Sequence, residues 1–179
     1  MIREGMSVKQ KVIHIFRPGL SARAMIKEIR NDFKGRPLVG VEIGVAEGYN
    51  AYNILRMLNV ERLYLVDSYK GDWIRAFGLS QKLLKPFKDK VVFINQRSEN
   101  AVKSIPPVLD FVYIDGDHSY DGVKSDFFNY FNKVKPGGYI GGHDFNMYGY
   151  EVIRFVNELH DEGYDVKAYN NDWWVKKDG

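Results

Sequence analysis

The sequence contains no cysteine. That removes disulfides, thiolate zinc sites and cysteine nucleophiles at once, and it leaves Asp and His as the ligands for any metal. No apolar run approaches the roughly 20 residues that a membrane-spanning helix requires. Residues Met1–Arg17 carry charges throughout and lack the apolar core of a signal peptide. No internal repeat or low-complexity stretch is visible. Neither sign of charge is in large excess: the net charge of +3 is too mild to imply nucleic acid by itself. Together these absences predict a cytoplasmic protein that does not engage a membrane.

What is present fits one ordinary globular domain spanning residues 1–179, with 45% hydrophobic and 27% charged residues. Aromatics reach 15%, a surplus that packing of the core and its rim would absorb. Apolar strands alternate with helical patterns along the chain. An N-terminal arm, 1–20, ends at the turn signal Arg17-Pro18-Gly19. A leading helix follows within 21–37, capped by Ser21 and carrying Met25, Ile26, Ile29 and Phe33 on one side. The core, 38–176, opens with the strand 38–43 and a helix over 49–58. Short strands are expected at 63–66, 91–94, 111–114 and 139–142, with helices over 72–87, from 98, over 120–134 and over 148–162. The chain then turns through Asn170-Asn171-Asp172 as a hairpin, 166–169 with 173–176. This order predicts an α/β, Rossmann-like, doubly wound and mostly parallel seven-stranded sheet closed by an antiparallel C-terminal hairpin.

In such sheets ligands bind at the carboxyl ends of the strands. Those ends carry Glu42, Gly44 and Gly48; Asp67; Ser98 and Glu99; Asp115, Asp117 and His118; and His143 with Asp144. Gly44 and Gly48 let the backbone turn tightly beneath a ligand and open a helix. The dinucleotide pattern G-x-G-x-x-G wants glycine where Ala46 stands. Glu42 and Glu47 would also repel a pyrophosphate, so the acidic turn suits an ammonium or sulfonium ligand. Asp67, 19 residues after Gly48, is placed to accept ribose hydroxyls.

Three segments in this order, 41–51, 111–120 and 135–145, resemble the class I S-adenosylmethionine-dependent methyltransferases. Within that class they are most similar to the small O-methyltransferases that include the catechol and macrolide-sugar enzymes. The resemblance implies that Glu42, Gly44 and Gly48 lie under the methionine part of the cofactor. It implies that Tyr49 and Asn50 hold the methionine carboxylate, Asp67 the ribose, and Ser98 and Glu99 the adenine. Asp115 would face both cofactor and metal. Metal-dependent relatives place an acid after the fourth strand and an Asp-Asn or Asp-Asp pair after the fifth. Here Asp115, His143 and Asp144 stand there, leaving a divalent cation, Mg²⁺ or Mn²⁺, open.

His118 falls where catechol-type relatives carry a basic residue. A histidine whose ordinary pKa is about 6.5 can take a hydroxyl proton, with His143 and Asp144 as alternatives. Asp117-His118-Ser119 could instead simply shape the turn and cap the next helix. The acceptor is expected to be a small molecule or a glycan, with a homodimer sharing the site left open. Residues 1–20 and 68–90, together with Tyr148 and Tyr150, are candidates for covering it, and Tyr69 and Trp73 are the aromatics of interest in the second stretch. Two other classes stay open: a non-catalytic cofactor-binding protein on the same scaffold and a nicotinamide-dependent oxidoreductase. The absence of an Asn/Asp-Pro-Pro-Tyr segment after the fourth strand disfavours amino methylation of bases.

Overall fold

The computed structural model describes residues 23–146 and 151–178. The apolar runs form the strands β1 (Leu38–Ile43), β2 (Val60–Val66), β3 (Val91–Ile94), β4 (Leu109–Ile114) and β5 (Val134–Gly142). They pair in parallel, and β6 (Val166–Tyr169) and β7 (Asp172–Lys176) complete one sheet in the order β3-β2-β1-β4-β5-β7-β6. β7 runs antiparallel to both its neighbours. Asn170 and Asn171 have φ of 50° and 68°, which is the left-handed pair demanded by a two-residue hairpin turn.

Successive side chains of a strand point to opposite faces, and the two faces have separate cores. Phe111, Tyr113, Tyr139 and Trp174 pack beneath α1 (Ala24–Phe33), α2 (Tyr49–Met57) and α3 (Ile74–Leu83). Val112, Ile114, Ile140 and Trp173 pack beneath α4 (Ser98–Ala101), α5 (Tyr120–Phe131) and α6 (Glu151–Asp161). Most of the aromatic surplus sits here: Phe127, Phe155 and Trp173 are fully buried and in mutual ring contact. Gly40 is needed at the centre of β1, because a Cβ there would lie 2.2 Å from the Phe111 ring.

The boundaries differ from the sequence reading where backbone chemistry intervenes. The helix expected over 72–87 is broken into a short turn Gly71–Trp73, α3, and a second turn Lys85–Phe87. Pro86 lacks an N–H and its ring would clash with a carbonyl four residues back, so the α-helix ends before it. β5 begins at Val134 rather than Tyr139. It passes through Pro136-Gly137-Gly138 by a register shift against β4 between Leu109 and Phe111, and irregular pairing of this kind tolerates proline. The leading helix is present from Ala24. Ser21, the arm 1–20, Tyr148 and Tyr150 lie outside the described residues. The chain leaves β3 at one edge and returns through α4 to β4 beside β1, so the reversal of strand order falls between β1 and β4. A crevice opens at that point.

Candidate active site

The turn after β1 forms the floor. Gly44 has φ of 82°, and a Cβ there would lie 2.1 Å from the Asp115 carbonyl oxygen, so only glycine lets β1 and the end of β4 meet. Gly48, φ 85°, opens α2. Ala46 also takes a left-handed φ, 47°. The residue at the position where a dinucleotide pattern wants glycine thus adopts a glycine-like backbone. Asp67 from the end of β2 supports this geometry. Its Oδ2 accepts the N–H groups of Val45 at 2.9 Å and Ala46 at 3.0 Å, and its Oδ1 accepts that of Tyr69 at 2.8 Å.

Glu42 is fully buried beneath the turn. Asn50 Nδ2 donates to its Oε1 at 2.9 Å. Glu42 Oε2 and Asn50 Oδ1 are buried acceptors with no hydrogen-bond partner among the described residues. Burial pushes the Glu42 carboxyl up to about 8, reinforced by the charge of Asp115 and opposed by Asn50 and Arg23. A pair of this kind is a receptor for a donor, and an ammonium group offers three N–H bonds and a compensating charge.

At the far end, the turn after β3 brings Ser98 and Glu99 to the same cleft, which has a volume of about 1040 Å³. That is at the upper end of the usual range for small-molecule sites, ~300–1000 Å³. Tyr130 Oη donates to the Ser98 carbonyl at 3.0 Å. Asp126 from α5 is buried beside Ser98, and burial pushes its carboxyl up to about 6.

The corner between β4 and β5 holds the ionisable cluster. His118 Nε2 lies 2.7 Å from Asp144 Oδ2 and 3.7 Å from Asp115 Oδ1. Asp144 Oδ1 is 2.7 Å from His143 Nδ1. The nearby carboxylates of Asp115 and Asp144 hold His118 above its ordinary pKa against the effect of burial. Asp115, His118 and Asp144 each offer a ligand atom, all within 4.8 Å of one another. The structure therefore gathers His118 with the two carboxylates, and places His143 on the outer oxygen of Asp144, 4.0 Å from Asp172. Asp117 and Ser119 shape the turn and cap α5, with Ser119 Oγ accepting the Gly122 N–H, whereas His118 faces the cluster.

Glu42, Gly44, Tyr49, Asn50, Asp67, Ser98, Glu99, Asp115, His118, His143 and Asp144 all line this one cleft. Gly48 lies at the head of α2 just behind it. Trp73 reaches the rim and is 55% exposed. Tyr69 does not: it is 5% exposed, packs on Phe77 and contacts Ser80 through its hydroxyl. The Tyr69 ring fills space behind the turn and forms no wall for an acceptor. Arg23, Asp126 and Asp172 escaped the sequence reading. Asp126 carried a signal, being a lone acid within the apolar stripe of α5. Asp172 reads as a turn residue yet is fully buried, accepting the Met25 N–H at 2.9 Å and the Tyr113 hydroxyl at 2.8 Å.

A family model described as a methyltransferase domain matches residues 41–145, from β1 through the cluster after β5. The chain belongs to this methyltransferase family. The methyltransferase is 26% identical over 149 residues to an uncharacterized protein of Acanthamoeba polyphaga mimivirus, covering 75% of this chain and 65% of that protein. Among solved structures, it resembles a caffeoyl-CoA O-methyltransferase-like protein from Staphylococcus aureus, with a TM-score of 0.70, 14% identity, and 98% and 93% of the two chains covered. It also resembles MycE methyltransferase of the mycinamycin biosynthetic pathway, solved with Mg and SAH, with a TM-score of 0.63, 16% identity, and 86% and 48% covered. An rRNA methylase from Streptococcus thermophilus has a TM-score of 0.65, 12% identity, and 87% and 95% covered. The chain spans about two thirds of the mimivirus protein and half of MycE. Among the described residues no helix is long and apolar enough to cross a membrane.

Proposed function

We propose that this methyltransferase transfers a methyl group from S-adenosylmethionine to a hydroxyl of a small-molecule or sugar-like acceptor. The observation that carries the reading is the joining, in one cleft, of an acidic ligand-binding half with the ionisable cluster of Asp115, His118 and Asp144. The fold alone does not select the acceptor, because proteins of the same fold include MycE and an rRNA methylase.

The methyl donor supplies an electrophilic sulfonium carbon. Glu42, Gly44, Gly48 and Asn50 bind its methionine end, with Tyr49 at the rim. Asp67 takes the ribose hydroxyls with the lone pairs left beside its backbone bonds. Ser98 and Glu99 border the adenine, with Asp126 behind. His118 receives the acceptor hydroxyl proton, and the imidazolium so formed is balanced by Asp144 and Asp115. His143 holds Asp144 in register. Trp73 at the rim offers an apolar face to the acceptor. The protein's contribution is orientation and electrostatics.

The same three side chains also fit a divalent ion, two carboxylates and one imidazole being a set that favours Mn²⁺ over Mg²⁺. Bound there, an ion would lower the pKa of the acceptor hydroxyl, and His118 would then serve as a ligand. The test is calorimetry with S-adenosylhomocysteine, followed by mass spectrometry of sugar, phenol and RNA acceptors with and without a chelator. Binding together with gain of a methyl mass on a hydroxyl acceptor is expected. Failure to bind at millimolar concentration, or methylation of RNA alone, overturns the reading. Loss of turnover on chelation assigns the cluster to a metal.

A further inference from the structure

The methionine end of adenosylmethionine is a zwitterion, and only half of it suits an acidic floor. Glu42 and Asp115 favour the ammonium and oppose the carboxylate. Beside any N–H donors of Tyr49 and Asn50, a cation is the strongest partner for the carboxylate, and among the described residues lining the cleft the arginines are Arg23 and Arg97. Arg97 follows β3 at the adenine end, where its side chain is 64% exposed and paired with Glu99.

Arg23 stands immediately before α1, at the other end of the cleft. Its Nη2 donates to Asp115 Oδ2 at 3.1 Å, and its guanidinium lies 5.8 Å from the centre of the Tyr113 ring. Nη1 is buried and has no hydrogen-bond partner among the described residues. A guanidinium is a fork of five N–H donors matched to two-point contact with a carboxylate. Here one side of the fork is used and a donor on the other is unsatisfied, which is costly in a buried setting. The backbone that follows is fixed: the Lys27 N–H donates to the Arg23 carbonyl, and Asp172 Oδ2 accepts the Met25 N–H. Asp172 also accepts from the Tyr113 hydroxyl, so the helix head and the ring under the guanidinium are held by one buried carboxylate.

We propose that Arg23 is the receptor for the methionine carboxylate of the methyl donor. Asp115 positions the guanidinium, and the leading helix thereby reads the amino-acid end of the ligand. This rests on the adenosylmethionine reading above, and it adds a contact that the three motif segments do not contain.

The experiment compares S-adenosylmethionine with decarboxylated S-adenosylmethionine, which keeps the adenosine, sulfonium and amine and lacks only the carboxylate. Calorimetry is run on the full chain and on Arg23→Met and Arg23→Lys. The unaltered protein is expected to bind the decarboxylated ligand on the order of 30-fold more weakly, the loss typical of removing one partner from a buried charge pair. Arg23→Met should lose a similar factor for adenosylmethionine and little for the decarboxylated ligand, with Arg23→Lys in between. Equal affinity of the unaltered protein for both ligands overturns the proposal without recourse to any variant. An equal loss for both ligands in Arg23→Met also overturns it, since that marks a structural role. Binding of neither ligand by the unaltered protein overturns the adenosylmethionine reading itself, a different failure from loss of discrimination.

Discussion

Glu42 makes the sharpest prediction, because its burial is complete and its perturbation large. In the unfolded chain it titrates near 4.5, whereas burial in the folded protein pushes it up to about 8. Between those values the folded state holds a proton that the unfolded state has released. Folding stability therefore falls as pH rises across this window. Integrating that linkage from about pH 5 to about pH 7 gives a loss of about 2–3 kcal/mol attributable to Glu42 alone. Glu42→Gln keeps the shape and an acceptor for Asn50 Nδ2, and removes the titration. The assay is urea unfolding of both proteins at the two pH values, so that all other titrations cancel in the double difference. The variant should gain about 2–3 kcal/mol on the parent over this interval, or roughly 5–10 °C in thermal midpoint for a chain of this size. A double difference below about 0.5 kcal/mol, the usual limit of additivity, would show that Glu42 ionises like an exposed acid. Its second oxygen would then be solvated rather than buried without a partner. The same proton predicts that binding an ammonium-bearing ligand near neutral pH releases a proton, visible as a buffer-dependent heat.

Three further outcomes follow from geometry. Asp67→Ala leaves three backbone N–H groups without their carboxylate. It should cost about 1–3 kcal/mol in unfolding and weaken adenosylhomocysteine binding roughly 10-fold or more, while unchanged affinity removes Asp67 from the site. Gly44→Ala places a Cβ against the Asp115 carbonyl in a left-handed backbone. It should destabilise the fold by about 2–4 kcal/mol in urea, and a neutral result would mean that the turn moves freely. His118→Ala should lower turnover on the order of 100-fold or more while leaving adenosylhomocysteine affinity within a factor of about two. Parallel loss of both would recast His118 as a structural residue.

The parallel strands were legible because buried strands read as continuous apolar runs, and β1 and β3 match residue for residue. The strand-end acids were legible because the topology dictates where such residues collect. The grouping within the cluster was not. Both histidines follow strand ends, and spacing alone does not say that His118 meets Asp144 Oδ2 while His143 meets Oδ1, a pairing made where Asp144 takes a left-handed φ of 62°. Arg23 and Asp172 were invisible for a different reason. Each owes its role to a partner far along the chain, 92 residues away for Arg23 with Asp115 and 147 for Asp172 with Met25. Spacing rules describe neighbours and are blind to such pairs.

β7 has a consequence for the order of assembly. Among the described strands it is the last in sequence, yet it occupies an interior place, between β5 and β6, with Trp173 wholly enclosed. During synthesis the sheet therefore waits, with the flank of β5 open, until the hairpin has emerged. Asp172 at the head of that strand then captures the amide of Met25, a closure of high contact order and so intrinsically slow. Until it forms, the head of α1 lacks its anchor to the sheet and the guanidinium beside it is held by Asp115 alone. Ligand-binding competence should consequently appear late in refolding, after the secondary structure, and a fragment ending before β7 should hold most of the strands and the cleft residues without the Asp172 contacts that fix the head of α1.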